Sequence, residues 1–148
     1  MTIKSIFQLA FTGLLLVSFS ALAQSENDLQ HYLKLKDALV ASDLEASQKA
    51  ALEMQSGLYE GASEALNTSL QNLSASQDLA GQRKYFEEVS QEMYKALKAS
   101  NEAKGLYKQY CPMAFNGKGA FWLSDKKQIA NPYYGDRMLR CGRVEEEL

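Results

Sequence analysis

From Ser25 to Ala99 the apolar side chains recur every three or four positions, the spacing of a buried helix face. Leu29, Tyr32, Leu33, Leu39 and Val40, with Asp28, Lys34 and Asp37 between them, predict a short first helix. Ser42-Asp43-Leu44-Glu45 has the S-x-x-E form of a capping box, so a second helix is expected to start at Ser42. Its stripe runs through Ala50, Met54, Leu58, Ala62, Ala65 and Leu66, and Gly57 and Gly61 weaken it enough to mark a candidate break. Leu66, Leu70 and Leu73 give a third piece. Asn72, Ser74, Ser76 and Asp78 then read as capping and turn residues of a connection. The clearest helix runs from Leu79 through Phe86, Val89, Met93, Ala96 and Leu97, with charged residues on its other faces. An amphipathic face must be buried, so Met54 and Met93 are assigned to the core.

Residues beyond 104 differ in kind. Tyr107, Tyr110, Phe115, Phe121, Trp122, Tyr133 and Tyr134 alternate with Gly117, Gly119, Gly135 and Gly142, which indicates tight turns carrying large packing groups. The expected fold class is mainly α: a small helical bundle over about residues 25–103, with an irregular, turn-rich C-terminal Cys/Met/aromatic lobe over about 105–148. A short hairpin at Ala120 to Leu123 and a turn at Asn116-Gly117 are expected within the lobe. The closing Glu145-Glu146-Glu147 reads as a solvated tail.

The N-terminus changes the compartment. Lys4, an apolar run from Ile6 to Phe19, and Ala21-Leu22-Ala23 before Gln24 follow the order of a secretory signal peptide, with cleavage expected after Ala23. The core Leu9–Val17 is shorter than the roughly 20 apolar residues that a membrane span requires. Residues 24–148 are therefore expected as one exported, periplasmic or secreted domain that does not insert into the membrane. The net charge of −2, from 16 Lys and Arg against 18 Asp and Glu, lacks the basic excess that nucleic acid would demand. No H-E-x-x-H, phosphate loop or G-x-S-x-G pattern is present, and Gly61-Ala62-Ser63-Glu64-Ala65 fails the last at its final glycine, so no enzymatic activity is expected.

Candidate chemistry lies in the lobe. Cys111-Pro112-Met113 and Met138-Leu139-Arg140-Cys141 each set a thiol beside a thioether. Soft sulfur donors suit Cu(I) and Ag(I). If Met138 to Cys141 forms a helical turn, its i,i+3 spacing puts both sulfurs on one face, whereas Cys111 and Met113 converge only from a loop or an extended segment. The competing reading is a Cys111–Cys141 disulfide, the default for two cysteines in an oxidising space, with both methionines in the core. It would close a loop of about 30 residues, worth on the order of 3 to 4 kcal/mol in the chain-entropy model. The two readings exclude each other as long as the bond persists, because a disulfide offers no thiolate. His31, the one histidine, is expected at the surface near the start of the first helix.

Three strings together carry a resemblance: Tyr110-Cys111-Pro112-Met113-Ala114, Lys118-Gly119-Ala120-x-Trp122-Leu123, and Asn131-Pro132-Tyr133-Tyr134-Gly135-x-x-Met138-Leu139-x-Cys141-Gly142. With Tyr32-Leu33-x-Leu35-Lys36-x-Ala38-Leu39-Val40-x-x-Asp43 and Gln82-Arg83-x-x-Phe86, the chain resembles an exported family of unknown function that also occurs fused to periplasmic adaptor subunits of copper/silver-type efflux pumps. The resemblance implies a link to heavy metals and an efflux adaptor or other exported protein as partner. Tyr-Cys-Pro-Met is also similar to the start of small heavy-metal-binding domains, but Ala114 stands where those carry His. The readings that emerge are Cu(I)/Ag(I) binding or sensing at Cys111, Met113, Met138 and Cys141, or a structural or protein-interaction domain stapled by one disulfide.

Overall fold

The computed structural model describes residues 27–58, 62–100 and 103–148. The expected signal peptide over 1–23 lies outside the described residues. Four helices come first: α1 over 27–40, α2 (Leu44–Gly57), α3 (Glu64–Ala75) and α4 (Leu79–Ser100). Three strands follow, β1 (Tyr107–Cys111), β2 (Ala120–Ser124) and β3 (Arg143–Glu147). The chain is mainly helical with a small antiparallel sheet at its C-terminal end.

α2, α3 and α4 each start where a side chain satisfies a free amide. The cap of α2 is Asp43, whose carboxylate accepts from the Ala46 amide at 2.9 Å. The expected cap at Ser42 is therefore displaced by one residue. Ser42 has a left-handed backbone (φ 56°) that ends α1, and its hydroxyl accepts from Arg83 at 2.9 Å instead. Ser63 caps α3 through the Leu66 amide, and Asp78 accepts from Gly81 at the start of α4. The break expected around Gly57 and Gly61 is present, since α2 ends at Gly57 and α3 begins at Glu64.

α3 packs between α2 and α4. Leu35 and Leu39 of α1, Met54 of α2, Leu70 and Leu73 of α3, and Phe86 and Val89 of α4 are fully enclosed, and Met93 and Leu97 are nearly so. Burying such side chains contributes about 1.5–3 kcal/mol each, which is what holds the bundle. Several polar groups inside it are paired. Gln82 accepts from Ser47 and donates to the Leu44 carbonyl at 3.0 Å, and the Tyr32 hydroxyl meets Ser90 at 2.7 Å.

The C-terminal lobe is a three-stranded sheet in the order β2-β1-β3, and this corrects the irregular lobe expected from its glycines and aromatics. Cys111 faces Ala120 across the β1–β2 pair and Gln109 faces Trp122; the hairpin expected at Ala120 to Leu123 is instead one edge strand, β2, which pairs with β1. The connection between β1 and β2 does turn at Asn116-Gly117, with Phe115 and Asn116 in left-handed backbone (φ 50° and 59°). The acidic end is a second correction. Glu145-Glu146-Glu147 lies in β3 beside β1, and Glu146 accepts from the Tyr94 hydroxyl at 2.7 Å and from Lys98 at 3.0 Å. A run of three like charges concealed a strand because its bonding partners, Lys98, Lys108 and Tyr94, are distant in sequence.

The two halves are joined by aromatic rings and hydroxyls. Phe86 stacks on Tyr32 with ring centres 5.4 Å apart and meets Tyr133 at 5.9 Å. Tyr32 accepts from the Leu123 amide at 3.0 Å, and Tyr133 donates to the Phe121 carbonyl at 2.5 Å. These two hydroxyls engage backbone groups of β2 that β1 leaves unpaired, a substitute for a further strand. The face of the sheet carrying Lys108 and Phe121 packs on α4 through Tyr94, whose ring meets Phe121 at 5.5 Å. The opposite face, carrying Gln109, Cys111 and Trp122, is covered by the segment 125–142.

Candidate dithiol site

Cys111 ends β1 with its side chain on the covered face, fully buried. Cys141 arrives from the other end of the covering segment and stays partly exposed. Their Sγ atoms stand 3.3 Å apart, longer than the roughly 2.05 Å of a disulfide and within contact of each other as thiols. Thirty residues of sequence separation are closed by the way the covering segment is pinned to the sheet.

Gln109 and the Tyr133 hydroxyl tie the segment to the sheet, and bonds within the segment fix where Cys141 sits on it. Gln109, buried on the sheet, donates its amide to the Lys126 carbonyl at 2.8 Å and the Lys127 carbonyl at 3.2 Å. Asn131 is fully buried; its amide nitrogen donates to the Cys141 carbonyl at 2.8 Å, its side-chain oxygen accepts from Tyr133 N–H, and its own N–H donates to the Leu139 carbonyl. The Cys141 N–H donates to the Met138 carbonyl at 3.0 Å. Gly142 then lies directly on the ring of Trp122: a Cβ there would stand 3.0 Å from the indole and 3.0 Å from the Tyr110 carbonyl. A side chain at 142 would lift the segment and separate the sulfurs.

The electrostatics favour the protonated form. The neighbouring Cys111 sulfur pushes the Cys141 thiol up from its ordinary value, and partial burial adds to that. Tyr133, wholly buried beside the site, has its phenol raised well above the ordinary value, chiefly by burial.

Of the four sulfur residues singled out in the sequence, the two thiols are together and the two thioethers are placed differently. Met138 ends the short 3₁₀ turn Gly135–Met138 and is partly buried, and the i,i+3 turn expected between it and Cys141 is formed. Met113 is 53% exposed on the turn after β1, where its carbonyl accepts from Tyr134 at 2.6 Å. It is therefore no core residue, contrary to what the disulfide reading expected of it. His31 is half-buried near the start of α1: it packs against Gly57 and its Nδ1 is buried without a partner, so the surface position expected of it is met only in part.

Among the described residues no group of three or more His, Cys, Asp or Glu side chains is arranged to hold a metal ion. The donor set at the thiols is sulfur alone, which fits a soft monovalent ion and not a hard divalent one. Asn131 enters the sequence reading only within the string that carries the resemblance, and nothing in the spacing of Gln109 marked it as a buried anchor.

A match to the family described as Protein of unknown function (DUF3347) spans residues 29–105, just over half of the chain. The chain belongs to this family. The match covers the helical half and ends before β1, so the two cysteines lie beyond it. No curated protein and no solved structure matches the chain significantly. Among the described residues no helix is long and apolar enough to cross a membrane.

Proposed function

We propose that this chain is an exported domain that binds or senses a soft metal ion, Cu(I) or Ag(I), through Cys111 and Cys141, as an accessory to heavy-metal homeostasis. The observation that carries the reading is the 3.3 Å approach of two thiols supplied by segments 30 residues apart. Two thiolates side by side form a soft donor pair, and Met138, one turn before Cys141, is the nearest thioether in sequence. Met113, exposed on the turn after Cys111, is available to an ion that enters from solvent. The signal-peptide pattern of residues 1–23 supports an extracytoplasmic location, and the resemblance to domains fused to copper/silver efflux adaptors supports such an adaptor, or another exported protein, as partner.

Copper titration of the reduced protein against a chromogenic Cu(I) chelator tests the reading. One ion per chain is expected at a chelator concentration where the Cys111→Ser/Cys141→Ser variant takes up none. Cu(I) and Ag(I) should be preferred over Zn(II), because thioethers contribute little to a zinc site. Met138→Leu and Met113→Leu should weaken uptake while leaving the fold intact, since Leu nearly matches Met in volume. Trp122, whose ring lies against Gly142 beside Cys141, supplies a fluorescence signal for binding.

The second reading is a structural or docking domain stapled by a Cys111–Cys141 disulfide, and the backbone pinning of Cys141 by Asn131 and Met138 favours it. Under it the Leu variants are silent, reduction lowers the melting temperature, and the reduced protein binds copper no better than an ordinary thiol pair.

A further inference from the structure

The two sulfurs are unequal, and the inequality has chemical consequences. Cys111 is at 0% exposure, beneath the covering segment and in the neighbourhood of the buried Tyr133. Cys141 is partly exposed, and its backbone is tied on both sides, N–H to Met138 and carbonyl to Asn131. The first sulfur is enclosed away from external reagents, and the two hydrogen bonds on the backbone of Cys141 hold its Cα in place, so that its sulfur stays within a side-chain rotation of the first.

We infer that Cys111 and Cys141 form an ordered dithiol that exchanges with an external disulfide, Cys141 taking the incoming group and Cys111 resolving it. In the first step the Cys141 thiol gives up its proton and attacks one sulfur of a disulfide R–S–S–R. The R–S–S–R bond breaks, a Cys141–S–S–R bond forms, and the departing thiolate takes the bond electrons and a proton to become RSH. In the second step Cys111 gives up its proton and attacks the Cys141 sulfur from 3.3 Å, a distance closed by a small side-chain movement. The mixed disulfide breaks, the second RSH leaves, and a Cys111–Cys141 bond remains. Two protein thiols are oxidised and one external disulfide is reduced to two thiols, so atoms and electrons balance.

The chemical class of the reagent is a disulfide small or exposed enough to reach a surface sulfur, either a low-molecular-weight disulfide or the exposed disulfide of a protein. The exchange requires no bound ion. Its consequence for metal capture, that oxidation removes both thiolates and so switches binding off, does rest on the function proposed above.

Oxidised glutathione serves as the probe, added to the purified, fully reduced protein in the presence of a metal chelator, with acid quenching and peptide mapping by mass spectrometry. In the unmodified protein the only adduct expected is a transient one on the Cys141 peptide, giving way to the internal disulfide. Cys111→Ser should accumulate a stable adduct on Cys141. Cys141→Ser should be modified at Cys111 at least about ten-fold more slowly while folded, and as fast as any free thiol in denaturant. An early adduct on Cys111 in the unmodified protein overturns the inference, as does an end state carrying two glutathiones and no internal bond. The mapping of the unmodified protein decides the order of attack even if a variant fails to fold. Ordered exchange without copper uptake would sink the metal reading alone; copper uptake without ordered exchange would sink only the exchange.

Discussion

The helical half and the sheet lobe of this protein are held together by different kinds of contact. In residues 27–100 the helices are defined by local sequence: α2, α3 and α4 have caps three residues from the amides they satisfy, and α4 carries an apolar stripe on one face. In residues 103–148 the decisive contacts join distant positions: Gln109 to Lys126, Asn131 to Cys141, Tyr94 to Glu146, Tyr32 to Leu123. The helical half is a scaffold with ordinary packing, and the family match falls on it. The sulfur pair sits in the other half, where position depends on how the segments are tied. Membership of the family therefore describes the support and leaves the candidate chemistry to be tested on Cys111 and Cys141 themselves.

The sharpest way to break this contrast is at Phe86, which belongs to α4 but meets Tyr133 of the lobe as well as Tyr32. Fully buried, Phe86→Ala should cost about 3–5 kcal/mol. Urea unfolding followed by far-UV circular dichroism and by Trp122 fluorescence should show one shared transition moved to lower denaturant. Two separated transitions would mean that the halves are independent units.

A smaller effect is expected at the seam. Tyr32→Phe removes a hydroxyl and leaves the Leu123 N–H without its acceptor, at a cost of about 1–3 kcal/mol. Hydrogen exchange should show the Leu123 amide losing protection while amides in the middle of α3 keep theirs. Equal loss in both places would show that the hydroxyl stabilises the whole molecule rather than the edge of β2.

Asp28, at the start of α1, provides a test confined to the helical half. Its carboxyl is buried with one oxygen unpartnered, and desolvation raises its pKa from 3.8 to about 6 against the opposing pull of His31. The folded state thus holds a proton that the unfolded chain releases at lower pH. Stability contributed by this group is complete below about pH 4, falls as pH rises toward 6, and is level above that. Asp28→Asn should flatten that slope and raise stability at pH 7 by up to about 2 kcal/mol, read from melting temperatures across the range. A variant that keeps the slope would move the titration to another group.

The smallest effect belongs to β3. The Tyr94 hydroxyl, and after it Lys98, holds the Glu146 carboxyl below the usual carboxylate range, but the pair is largely open to solvent. Glu146→Gln should therefore cost less than about 1 kcal/mol and become indistinguishable from the parent protein in high salt. A larger loss would show that the acidic strand anchors the lobe to α4.

The sequence by itself determined the four helices, the break near Gly57, the core roles of Met54, Phe86 and Met93, and the two cysteines as candidate chemistry. Those features are local: a helix repeats its face every few residues, and a cap is read within four. It misplaced the α2 cap by one residue, because Ser42 and Asp43 both suit the position and only the hydrogen bond from Arg83 to Ser42 decides between them. It read β3 as a solvated tail and the lobe as irregular, because a strand five residues long acquires its identity from neighbours that pair with it. Only the tertiary structure decided that the sulfurs meet, that Met113 faces solvent, that Gln109 holds the covering segment against the sheet, and that Asn131 folds the segment so that Cys141 reaches Cys111. Each of those outcomes depends on closing loops of roughly 10 to 30 residues through several hydrogen bonds at once, and no spacing within the chain records such a closure.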